Sequence, residues 1–161
     1  MQLTALRPLE QTFKPAVRAV PTPRPPSATT TAGRLLTLRR TNNRAAARHR
    51  TIEDVVLYAL CRPGEDPQNR FAQAQGFAAA HHCHVLDRYL DVTRDRSTDS
   101  ALVHRPGWAR ARAALVCGRA SGLIAVSRRD VSACDDAYEG ELHWFYAHHV
   151  ALWLVRPESV E

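Results

Sequence analysis

At 161 residues the chain has room for one ordinary domain and a tail. Its net charge of +6 is unevenly placed: residues 1–50 hold nine arginines and Lys14 against Glu10 alone, whereas residues 51–161 carry twelve arginines against fifteen acids. No apolar run is long enough for a secretory signal or a membrane span, so a cytoplasmic chain with its four scattered cysteines reduced is expected.

Six of the ten prolines fall in residues 1–33, among few large apolar residues, which predicts an extended, disordered segment. Residues 34–50 (RLLTLRRTNNRAAARHR) are compatible with a short basic helix interrupted at Asn42 and Asn43. They offer little to a core, so the domain boundary is drawn at residue 50, with a basic Pro/Arg-rich tail before it. Arg34, Arg39, Arg40, Arg44, Arg48 and Arg50 in that tail resemble an arm for nucleic-acid phosphates, which guanidinium groups bind bidentately.

From Thr51 onward apolar runs alternate with helical patterns. Residues 55–60 (VVLYAL) predict a strand stopped by Pro63 and Gly64, and residues 66–82 a helix rich in Ala and Gln. A second strand is expected at 85–90 and a polar loop at 91–104. Trp108, Ala111 and Leu115 form the apolar stripe of a helix over 105–118, closed by Gly118. Strands at 123–126 and 150–155 flank a helix over 135–149 with Tyr138, Leu142 and Phe145 on one face. Strands that are apolar throughout, alternating with helices, predict a three-layer α/β sandwich around a mainly parallel four-stranded sheet.

The order and punctuation of these elements resemble the catalytic domain of the serine recombinases, the resolvase/invertase family. That family's first strand ends in Tyr-Ala-Arg-x-Ser, where this chain has Tyr58-Ala59-Leu60-Cys61-Arg62. Its second strand closes in Asp, matched by Asp91. Its loop runs into Arg-Pro-Gly and a helix, matched by Arg105-Pro106-Gly107-Trp108. Its Asp-Arg-Leu-Ser-Arg motif is met here by Arg129-Asp130-Val131-Ser132-Ala133. The resemblance spans residues 51–155 and implies the resolvase-type fold.

The departures shape the functional expectation. The family's first-strand serine attacks a DNA phosphate, helped by a cluster of arginines and an aspartate. Here Arg62 stands at the nucleophile position, and arginine stays protonated. The neighbouring catalytic Arg is Leu60, the Arg129–Asp130 order is exchanged, the final Arg is Ala133, and a further basic position falls at Ala114. Arg105 alone matches the family's active-site set. Without the nucleophile there is no covalent route, and missing cations weaken stabilisation of the transferring phosphoryl group. Cys61, one residue earlier on a strand, points to the opposite face and reads as a buried small hydrophobe. Family members continue into a long dimerising helix and a DNA-binding region, neither of which is expected after residue 155.

The sequence therefore predicts a recombinase-family protein associated with DNA through its basic tail, without strand cleavage. Two alternatives stand beside it: an active recombinase with a rearranged site, and a non-enzymatic module that uses the fold to bind a protein partner. Neither a cofactor nor a metal is expected, because His81, His82, Cys83 and His84, and His143, His148 and His149, fit no zinc-ligand spacing.

Overall fold

A computed structural model of the chain describes residues 30–94, 102 and 104–158. Its elements are helix α1 (Thr31–His49), strand β1 (Asp54–Cys61), helix α2 (Pro67–Ala80), strand β2 (His84–Val92), helix α3 (Pro106–Val116), strand β3 (Gly122–Ala125), the short helix α4 (Arg128–Val131), helix α5 (Asp135–Ala147) and strand β4 (Ala151–Leu154). The four strands form one all-parallel sheet in the order β2-β1-β3-β4.

Strand β1 is the centre of the molecule, and its side chains alternate between two cores. Val56, Tyr58 and Leu60 point to one face, where Trp108 and Leu115 of α3 and Tyr138, Leu142 and Phe145 of α5 cover them. Val55, Leu57 and Ala59 point to the other, under Phe71, Ala74 and Ala78 of α2. A strand buried on both faces has no polar side to show, which is why VVLYAL reads as a continuous apolar run. The edge strand β2 instead alternates in exposure, and Leu86 is an extra residue bulged between the pairs Val55–Val85 and Val56–Asp87.

The boundary expected at residue 50 is corrected by α1. This 19-residue helix is capped by the Thr30 hydroxyl, which accepts from the Gly33 N–H at 3.1 Å, and it buries Leu35 fully in the same core as α3 and α5. The asparagines that read as interruptions are its docking groups. Asn42 donates to the Leu142 carbonyl at 2.8 Å. Asn43 brackets Leu152 on the edge strand β4, donating to its carbonyl at 2.8 Å and accepting from its N–H at 3.0 Å. An amide side chain thus supplies the pairing that a fifth strand would give the sheet edge. Residues 1–29 of the expected tail, and most of the expected polar loop after β2, lie outside the described residues.

Candidate functional site

The resemblance directs attention to the carboxyl ends of β1, β2 and β3, where crossover loops leave a parallel sheet and sites form. Strand β1 delivers Cys61 and Arg62 there. Cys61 is buried, 1% exposed, whereas Arg62 projects outward at the head of a turn. Gly64, at φ 82°, makes that turn in a conformation glycine tolerates, and the Arg62 N–H donates to Glu65 Oε2 at 2.9 Å.

From Glu65 a continuous polar chain runs inward. Its Oε1 accepts from Arg70 Nε at 2.9 Å, and Arg70 Nη1 donates to Asp130 Oδ1 at 2.6 Å. Burial opposes the charge on Arg70, but the Asp130 and Glu65 carboxylates outweigh it and hold its pKa above the ordinary value. Asp130 is fully buried. Its second oxygen accepts from the Ser127 N–H at 2.9 Å and closes the capping box that starts α4.

Arg105 reaches the same place from the start of α3. It is 5% exposed, and its Nη1 donates to the carbonyls of Val131 at 2.8 Å and Asp130 at 3.2 Å, at the C-terminal end of α4. A cation there satisfies carbonyls that the helix leaves unpaired. Arg105 Nε has no hydrogen-bond partner among the described residues. The residue that matches the family's loop arginine is thus a buried strut between α3 and α4.

Asp91 shows why the Arg-Pro-Gly junction has its sequence. The N-cap Arg105 makes no side-chain cap, so the carboxylate comes from β2 instead: Oδ1 accepts from the Gly107 N–H and Oδ2 from the Trp108 N–H, both at 2.8 Å. Oδ2 also accepts from the Tyr58 hydroxyl at 3.0 Å, and burial together with Asp91 pushes that phenol's pKa well above its ordinary value. Gly107 leaves no room for a side chain, since a Cβ there would sit 2.7 Å from the Leu90 carbonyl oxygen. Pro106 occupies the first helical turn, where its missing N–H costs nothing.

Of the sequence-predicted positions, Arg105 and Asp130 therefore meet and Arg62 joins them through Glu65 and Arg70, while Arg129 lies exposed on the outer side of α4. Ala114, at the position where the resemblance implies a basic residue, is packed in the core. Arg70 and Glu65 were missed, because nothing in their spacing marks them as partners of a residue 60 positions away.

The basic tail residues are sorted rather than gathered. Arg34 forms a bidentate pair with Glu139. Arg39, expected to be a nucleic-acid contact, is instead buried: Nε and Nη2 donate to Glu158 at 2.7 and 2.9 Å, while Nη1 reaches the Leu152 carbonyl. Arg40, Arg44 and Arg48 are exposed and Arg50 is half-buried. Several histidines sit at helix ends, where His81 stacks on Phe77, His148 on Trp144, and the His49 and His149 ring centroids lie 3.8 Å apart, while His84 opens β2 and His143 lies within α5. Among the described residues no three of His, Cys, Asp and Glu converge as a metal site, and no helix is long and apolar enough to cross a membrane.

No family model and no curated protein matches the chain. Among solved structures it is similar to the N-terminal catalytic domain of TP901-1 integrase, with a TM-score of 0.55 at 14% identity over 64% of this chain and 77% of that one. It is also similar to the C-terminal catalytic domain of ISC1926 TnpA, an IS607-like serine recombinase, with a TM-score of 0.53 at 17% identity over 65% of this chain and 71% of that one. The chain shares the fold of these two catalytic domains. Within that fold, the carboxyl ends of the strands carry a closed ion-pair chain, with its guanidinium groups already bonded to carboxylates and carbonyls.

Proposed function

We propose that this chain is a serine-recombinase-fold protein that associates with DNA without cleaving it. The observation that carries this reading is the exit of β1, where Arg62 projects outward and Cys61 is sealed in the core. An arginine cannot form the phosphodiester link that such a reaction requires, and a buried thiol cannot reach a phosphate. The inward turn of Arg105 and Asp130 supports the same reading. Preorganised cations stabilise a pentavalent phosphate only if their donors face it, and the bonded hydrogens of Arg105 face protein carbonyls. The fold that these structures share supplies the link to DNA recombination.

The test is to incubate the full chain with supercoiled plasmid DNA and look for nicked product and for a protein–DNA adduct that survives denaturant. Neither is expected, for the native chain or for Cys61→Ser. An adduct with the native chain would refute the reading and favour an active recombinase with a rearranged site.

A further inference from the structure

Resting on the DNA association proposed above, we infer that the outer face of α1 is a docking surface for the phosphate backbone of duplex nucleic acid, with Arg40, Arg44 and Arg48 as its contacts. The helix turns Leu35, Leu36, Arg39, Asn42 and Ala46 toward the core. At 100° per residue, Arg44 then lies opposite the centre of that buried face, with Arg40 and Arg48 one turn to either side. The three are exposed and four residues apart, so their Cα atoms step by about 6 Å along the axis. A duplex presents one phosphate per strand about every 3.4 Å of its axis, so three long arginine side chains spread over about 12 Å of helix each have phosphates within reach.

The distribution of carboxylates distinguishes this face from an ordinary solvated one. The two arginines of α1 that turn toward the domain are each met by a carboxylate, Arg34 by Glu139 and Arg39 by Glu158. Among the described residues no carboxylate pairs with Arg40, Arg44 or Arg48, and α1 itself contains no acid. Thr41, also exposed, lies between Arg40 and Arg44 and adds a hydroxyl donor of the kind phosphates accept. Because α1 is already folded and pinned, binding does not bear the cost of ordering its backbone.

A lipid surface fits less well. Amphipathic helices that lie on membranes bury an apolar face in the lipid, and the apolar face of α1 is already used in the protein core. A regular row of cations on a rigid helix matches a polymer of regularly spaced anions.

The experiment measures binding of the full chain to a short labelled duplex of arbitrary sequence over a range of salt concentrations. The variant Arg40→Gln/Arg44→Gln/Arg48→Gln keeps good helix formers at exposed positions, and circular dichroism and thermal melting confirm that it folds. A control with the same charge loss, Arg94→Gln/Arg110→Gln/Arg119→Gln, changes exposed arginines elsewhere. Losing three phosphate contacts should lower the slope of log affinity against log salt by about 2.7, which is a roughly 500-fold loss on extrapolation from 1 M to 0.1 M salt. The control should keep most of the slope. Equal losses in the two variants, or an unchanged slope in the α1 variant, would overturn the surface assignment. So would an α1 variant that loses binding to phosphatidylserine vesicles but keeps its binding to DNA. None of these outcomes bears on cleavage, so this inference can fail while the reading of the strand ends stands.

Discussion

Replacing Arg39 tests whether α1 is an integral part of the domain. Arg39 and Glu158 are both almost fully buried, and Glu158 Oε1 also accepts from the Tyr138 hydroxyl at 2.6 Å. Burial pushes the Glu158 carboxyl up, but hydrogen bonds and charge from Arg39, with help from Tyr138, outweigh it and hold the pKa below the usual range. Arg39→Met keeps most of the side-chain volume and leaves a buried carboxylate without its cation, a change that costs about 3–5 kcal/mol. For a chain of this size that is a fall in melting temperature of roughly 6–20 °C. Pairing it with Glu158→Gln removes both charges and should recover much of the loss. The sign of the pH dependence follows from the direction of the shift. A carboxyl whose folded pKa is depressed adds stability above its unfolded pKa and loses it as pH falls through the folded value. The native chain should therefore weaken below about pH 4, and the gap between it and Arg39→Met should narrow there, because a protonated Glu158 no longer needs the guanidinium. Urea denaturation at pH 7 and pH 3 measures both. A loss below about 1 kcal/mol at pH 7 would mean that α1 is not held against the sheet as described.

Two further substitutions probe the frame around the strand ends. Leu35→Ala, at a fully buried position of α1, should cost about 2–5 kcal/mol by denaturant titration, whereas a residue in an unfolded tail would cost nothing measurable. Gly107→Ala would drive a methyl group against the Leu90 carbonyl and the Asp91 carboxylate and should cost about 1–3 kcal/mol, read from a lowered melting temperature. A neutral result would mean that α3 can slide on β2.

Much of the fold could be read from the sequence because its decisive signals are local. All four strands were expected within two residues of where they lie, since β1, β3 and β4 are short apolar runs bounded by glycines, prolines and polar turns. The stripe of Trp108, Ala111 and Leu115 likewise gave α3. A helix over residues 34–50 was expected, but its docking on the domain was not legible, for the opposite reason. Leu35 and Leu36 are too few to predict a docked helix, and the groups that complete it, Glu158, Leu142 and Leu152, lie 100 or more residues away. Alpha-4 was missed because four residues show no periodicity. Its capping box, Ser127 with Asp130, was the available signal.

The candidate site was half legible for a related reason. A motif specifies which residue types sit at a strand end but not which way they face, and orientation depends on partners from other segments. Arg105 matched the family position in sequence, yet Val131 and Asp130 supply carbonyls that draw it inward. Asp130 could have faced a ligand, but Arg70 and the Ser127 N–H take both of its oxygens. In each case a charged group is stabilised by bonds that would have to break before it could meet a phosphate. Breaking a buried, charge-assisted contact of this kind costs several kcal/mol, more than an exposed arginine gives up when it meets DNA. The arginines of the two regions therefore do not make equal binding surfaces: Arg70 and Arg105 at the strand ends are held by their own protein, whereas Arg40, Arg44 and Arg48 of α1 lie open to solvent.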